Sequence, residues 1–164
     1  VIIRPAKVTD LPAIVEIENH EIVHGSAHFA TTPVTLGQAQ VAFKKAAGRY
    51  PWFVAVDEVV IGFARCSGWK ARESYQWTAE VGIYVRPERH GKGVGHALYE
   101  SLFPAMRSCG LRTILAGIAL PNPASIKLHE SFGMKHVGTL PCAGFKHERW
   151  VDVGYWAVHW SEAV

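Results

Sequence analysis

The sequence predicts a mixed α/β domain spanning residues 1–164, a mixed sheet with helices on both faces. Three observations predict it. Short runs alternate apolar and small or polar residues with period two, as Val81, Ile83 and Val85 do around Gly82 and Tyr84, and read as strands. Other runs carry apolar residues at helical spacing between capping residues and glycines, and read as helices. The two kinds follow one another without the strict alternation of a purely parallel sheet. A chain of 164 residues, 49% of them hydrophobic, is one domain's worth and can bury its own core.

Each element has a local reason. Val1–Pro5 is the first strand. Thr9 or Asp10 caps a helix that carries Pro12 in its first turn and Leu11, Ile14, Val15, Ile22 and Val23 on its apolar face. A second helix runs from Thr35 to Ala47 and stops at Gly48. Trp52–Val56 and Val59–Ser67 form a hairpin around Asp57-Glu58. Strand Thr78–Val85 leads through a glycine-rich turn into a helix from His96 to Cys109. Strand Thr113–Ala119 and helix Pro123–Phe132 follow, with Gly133 as the stop. Two last strands, near Lys135–Leu140 and Val151–Trp160, flank a long loop at Pro141–Arg149.

Composition narrows the function classes. Net charge is only +3 and the basic residues are not run together, which argues against a nucleic-acid partner. No apolar run is long enough to suggest a membrane span, and no secretory leader is expected. Cys66, Cys109 and Cys142 are few, odd in number and without a C-x-x-C pair, the pattern of buried thiols in a reducing cytoplasm. His20, His24 and His28 lack an accompanying ligand pattern, so no metal is expected. Trp52, Trp150, Trp156 and Trp160 read as core or interface packing.

The most informative stretch is Glu80–Leu98, EVGIYVRPERHGKGVGHAL. Gly91, Gly93 and Gly95 let the backbone approach an anion without Cβ clashes. The helix behind them turns unpaired N–H groups and its positive dipole end the same way, and Arg86, Arg89, His90 and Lys92 add charge. An ordinary turn is the alternative. The dinucleotide fingerprint G-x-G-x-x-G fails at His96, and G-x-x-x-x-G-K-[ST] is absent. His90-Gly91-Lys92-Gly93-Val94-Gly95 instead matches Q/R-x-x-G-x-G/A, with His where Gln or Arg is usual. That is the pyrophosphate loop of the GNAT superfamily of N-acetyltransferases, which the chain resembles over nearly its whole length. Within it, the chain is similar to the phosphinothricin and methionine sulfoximine N-acetyltransferases. IRPAKVTDLPAI, RYPWFVA, WKARESYQWTAE, LPNPASIKLHESFGM and AGFKHERWVDVGYW carry the resemblance.

The resemblance implies the GNAT acyl-CoA N-acyltransferase fold, a sheet that splays open where the co-substrate acetyl-CoA enters. It implies that Ile83, Tyr84 and Val85 pair with the pantetheine amides, with an N–H near Tyr84 for the oxyanion. The pyrophosphate would lie on Lys92–His96, beside His90 and Gly91, with Asn122 and Ser125 along the pantetheine arm; Asn122 reads equally as a helix N-cap. Glu80 is the implied general base, although an ordinary glutamate has a pKa of only about 4.3, so burial must help. On residue type alone Glu80 reads as a surface residue at a strand end. His129 has two readings, a catalytic or substrate-contacting group, or a helix histidine bonded to a backbone carbonyl. Arg72, Tyr75 and Phe29 are implied to bind a small amino-acid substrate, Arg72 by gripping its anion. The resemblance also implies a homodimer. A non-catalytic acyl-CoA-binding regulatory domain, and an acetyltransferase of protein N-termini or other amines, are the alternatives on the same scaffold.

Overall fold

The computed structural model describes residues 1–161. The elements are β1 (Ile2–Pro5), α1 (Leu11–His24), α2 (Leu36–Ala46), β2 (Trp52–Asp57), β3 (Val59–Gly68), β4 (Thr78–Val85), α3 (Val94–Ser108), β5 (Thr113–Ala119), α4 (Pro123–Ser131), β6 (Lys135–Lys146) and β7 (Arg149–His159). The strands form one seven-stranded sheet in the order β1-β2-β3-β4-β5-β7-β6. Every pairing is antiparallel except β4 with β5.

Alternation along β3 splits the core between the two faces. Ala64 and Cys66 join the cluster built on Leu98, Leu102 and Met106 of α3. Phe63 points the other way, into a cluster with Leu11, Ile14 and Ile17 of α1. Fully burying side chains such as Leu98 and Ile14 contributes about 1.5–3 kcal/mol each, which is what holds the helices to the sheet.

The parallel pair is short. β4 and β5 share only the register Thr78↔Thr113, Ala79↔Ile114 and Glu80↔Leu115. Beyond Glu80 the strands part, so the β5-side edge of Val81–Val85 has no partner strand. The expected splay therefore begins at the expected glutamate.

Three local expectations change. The segment 141–149 is not a long loop: β6 runs on to Lys146 and β7 starts at Arg149, joined by His147 and Glu148 at φ 50° and 60°. Two consecutive left-handed residues make a tight hairpin turn, but with no glycine the sequence carries no turn signal. The irregular register between Leu140 and Gly144, with Cys142 also at positive φ, further masks the strand. On α1, Val23 is 48% exposed, and Ile17 and Glu18 take the buried face instead. Asp10 stands at the N-cap of α1, yet its carboxylate turns back to accept from Lys7 N (2.7 Å) and the Arg4 guanidinium (2.7 and 2.8 Å). That hydrogen bond from Arg4 holds the Asp10 carboxyl below the usual range.

Candidate active site

The parting of β4 from β5 opens a cleft of about 810 Å³ toward the first turn of α3. Its lining includes Ile83, Tyr84, Val85, His90, Gly91, Gly93, Val94, Gly95, Asn122 and Ser125. Gly91 (φ 70°) and Gly93 (φ 78°) are left-handed, a conformation that a side chain resists. Gly93 is the N-cap of α3, which starts at Val94, two residues before the expected start, so the free N–H groups of the first turn face the cleft. His90 Nε2 donates to Val85 O at 2.8 Å and ties the loop to the end of β4. Asn122 Oδ1 accepts from Ser125 N at 3.1 Å and caps α4.

Two residues expected at the phosphates lie off the cleft lining. The Lys92 ammonium donates to Glu88 O at 2.9 Å. The His96 ring packs on Phe132, 4.9 Å between centroids, beside Glu100. Arg86 is bound to Glu16 (2.8 Å) and Val60 O (3.0 Å), and Arg89 to Asp57 (2.8 Å), all at the cleft mouth or just behind it.

A second cavity, of about 570 Å³, holds Glu80. Tyr84 lines both cavities and joins them. The register puts Ser67 opposite Glu80 and Arg65 opposite Gly82, all on the α1 face of the sheet. A Cβ at Gly117 would lie 3.2 Å from Glu80 Oε1 and 3.4 Å from the Tyr155 ring, so a side chain there would crowd both groups. Burial raises the Glu80 pKa above its ordinary value, and a hydrogen bond from the Gly117 backbone only partly opposes this.

Phe29 lines this cavity, but Arg72 and Tyr75 do not. Tyr75 packs edge-on against Trp69 (5.2 Å), and the Lys70 ammonium sits over both rings. The loop thus folds on itself and leaves Arg72 exposed.

The cation at the pocket is Arg65, which the sequence reading missed. It makes a bidentate pair with Glu18, through Nη1 at 3.1 Å and a closer Nη2 contact. His28 Nε2 also reaches Glu18 Oε1 at 3.1 Å. Burial works to raise the Glu18 pKa, but the hydrogen bonds and charge of His28 and Arg65 outweigh it and hold the carboxyl low. The loop carrying His28 and Phe29 is pinned by the β6–β7 hairpin. Lys146 Nζ donates to His28 O, His147 Nε2 to Gly25 O (2.9 Å), and Phe29 lies on the bare backbone of Gly144. A lone arginine in the apolar run of β3 was the only available hint.

His129 is 3% exposed and absent from both cavity linings. Its Nδ1 donates to Ser125 O (2.7 Å), which leaves Nε2 to accept from the Tyr99 hydroxyl (2.9 Å). Burial lowers its pKa, against the Ser125 hydrogen bond, so the ring is held neutral. The geometry is that of the carbonyl-bonded helix histidine.

Known proteins resemble this chain in sequence and fold. Residues 14–134 match the Acetyltransferase (GNAT) family. The chain is 41% identical over 155 residues to a phosphinothricin N-acetyltransferase of Streptomyces viridochromogenes, covering 94% of this chain and 85% of that protein. It is 37% identical over 156 residues to an L-methionine sulfoximine/L-methionine sulfone acetyltransferase of Pseudomonas aeruginosa, covering 93% and 91%. A solved GNAT superfamily phosphinothricin acetyltransferase from Sinorhizobium meliloti, in complex with acetyl-CoA, superposes with TM-score 0.94 at 34% identity over 99% of this chain and 90% of that one. With its splayed sheet, glycine loop and matching relatives, this chain belongs to the GNAT family of acetyltransferases.

Proposed function

We propose that the chain moves the acetyl group of acetyl-CoA to the α-amine of a small amino acid or analogue, such as phosphinothricin, methionine sulfoximine or methionine sulfone. The observation that carries this is the position of Glu80. It sits where β4 and β5 part, in a pocket that meets the glycine-loop cleft at Tyr84. The cleft suits acetyl-CoA as co-substrate. Its left-handed glycines and the α3 N-terminus fit a pyrophosphate, and the free edge of β4 fits an extended pantetheine arm.

An amino acid's ammonium must lose a proton before it attacks a thioester. Glu80, with proton affinity raised by burial, takes that proton as general base; the amine attacks the thioester carbonyl directly, the C–S bond breaks, and coenzyme A leaves as a thiolate that takes up a proton. An N–H of the free β4 edge near Tyr84 would stabilise the developing oxyanion. Phe29 bounds the acceptor side. The test is acetyl-CoA-dependent thiol release across a panel of amino acids, their analogues and a peptide N-terminus. Release with the small acceptors and not the peptide is the expected result. Release with no acceptor would sink the reading.

The same reading includes a homodimer in the cytoplasm. Edge strand β6 and its hairpin expose Val137 (62%), Phe145 (57%) and Trp150 (67%), and the cross-strand pair Phe145–Trp150 forms an apolar patch suited to a second copy. Cys66, Cys109 and Cys142 are unbonded thiols, consistent with a reducing compartment. Among the described residues, no helix is long and apolar enough to cross a membrane. Light scattering of the purified chain tests the dimer.

A further inference from the structure

We propose that Arg65 anchors an oxyanion of the acceptor, a carboxylate or phosphinate, through N–H groups that its pair with Glu18 leaves free. This rests on the acceptor reading above and assigns the specificity of that pocket.

The geometry has four parts. Among the described residues, Arg65 is the only lysine or arginine lining the Glu80 cavity. Lys146 donates to the His28 carbonyl, and Arg72 lies outside. Second, Arg65 and Glu80 stand on the same face as diagonal neighbours across β3 and β4. Such neighbours are about 7–8 Å apart at Cα, a gap that one amino-acid molecule bridges between amine and anion. Third, the residue opposite Arg65 is Gly82, where an added Cβ would meet nothing nearer than the Tyr84 ring at 3.6 Å. Of the two residues that complete this face between the charged groups, Ser67 and Gly82, the glycine leaves its corner of the floor bare. Fourth, the guanidinium is held before any ligand arrives. Glu18 takes it bidentately, and the Trp52 and Phe63 rings lie 4.9 and 5.4 Å from its carbon. Arginine has five N–H donors. Glu18 uses two, and those remaining offer charge-assisted bonds without a further ordering cost.

Arg65 lines both the acceptor pocket and an adjoining cavity, where Glu18, Trp52 and Lys70 are also found. Removing Arg65 alone would strand the buried Glu18 charge. The test therefore uses the double variant Glu18→Gln/Arg65→Gln, together with Arg65→Lys, which keeps the charge but not the fork.

The full-length protein loaded with coenzyme A is titrated calorimetrically with three acceptors. These are phosphinothricin, methionine sulfone (carboxylate but neutral tail) and decarboxylated phosphinothricin (tail anion only). In the double variant, phosphinothricin Kd should rise at least tenfold, while acetyl-CoA affinity stays within twofold. If methionine sulfone weakens equally and the decarboxylated compound does not, Arg65 holds the α-carboxylate. The reverse pattern assigns the tail. If no acceptor weakens, the anchor is overturned. Should the double variant not unfold cooperatively, Arg65→Lys decides alone: a Kd raised at least threefold supports the anchor and an unchanged one removes it. Parallel thiol-release assays separate the two proposals. Arg65-dependent binding without release leaves the anchor standing and removes acetyl transfer. Release that ignores Arg65 does the opposite. No binding and no release removes both.

Discussion

Glu18 and Glu80 are two carboxylates shielded on the same side of the sheet, and they respond to burial in opposite directions. Glu18 is enclosed with a bidentate arginine and a histidine, and its pKa falls. Among the described residues Glu80 has only a backbone N–H from Gly117, and burial raises its pKa. Burial pushes both upward; the presence of a cation decides the outcome. A carboxylate committed to a guanidinium is a structural ion, whereas one left without a cation keeps its affinity for a proton and is free to take one from a substrate.

The sharpest test of this contrast is Glu80→Gln. Loss of a general base lowers turnover by about 10²–10⁴-fold, so kcat should fall by that order while acetyl-CoA affinity holds. The acid limb of kcat/KM in the parent protein should lie above the ordinary glutamate value of about 4.3 and vanish in the variant. Stability should move the other way. A raised folded pKa gives stability that is complete below the unfolded pKa and lost as pH rises through the folded one. Ionised Glu80 therefore costs stability at neutral pH, and Glu80→Gln should melt at a higher temperature. Unchanged turnover at saturating substrate would end the comparison.

Glu18→Ala should behave as its counterpart. Breaking a buried pair costs about 3–5 kcal/mol, and the partial exposure of Arg65 places this one near or below the low end. Here the folded pKa is depressed, so the stability is present above the unfolded value and disappears as pH falls through the folded one. Urea unfolding at neutral pH should separate variant from parent, and the gap should close in acid below about pH 4. A gap that persists in acid would mean that packing, not the ion pair, is what Glu18 supplies.

His129→Phe tests whether a third buried group belongs with Glu18 or with Glu80. It strands the Tyr99 hydroxyl at a cost of about 1–3 kcal/mol, and kcat should stay within tenfold. A hundredfold loss of kcat without destabilisation would instead put the imidazole on the proton path to the departing thiolate. The smallest effect is expected of Gly144→Ala. Its Cβ would meet the Phe29 ring at 2.3 Å, and that half-exposed side chain can swing aside. Acceptor KM should rise a few fold, with less than about 1 kcal/mol lost in stability. A large loss of stability would show that the ring holds the hairpin rather than the pocket.

The parts of the site that the sequence displayed are those that depend on neighbours in the chain. The glycines at 91 and 93 advertise left-handed turns because their conformation is a property of each residue. Asn122 with Ser125 caps its helix within three residues. Arg72 shows the limit of such reasoning: it lies eight positions before Glu80 in sequence, yet it is exposed and lines neither cavity. The hairpin at His147-Glu148 was hidden because neither turn residue is a glycine.

Amino-acid order alone settled the mixed α/β class, most strands and helices, the left-handed glycine loop before α3 and the family pattern that includes Glu80. These follow from steric and hydrogen-bonding preferences acting over a few residues. Only the folded chain decided that Arg65 stands diagonal to Glu80 above a bare glycine, that Glu18 neutralises it from a helix 47 residues earlier, and that both nitrogens of His129 are already used. Strand register and helix docking bring those groups together. The energies that fix them come from burial and charge pairing between distant segments, and the sequence does not display such pairings.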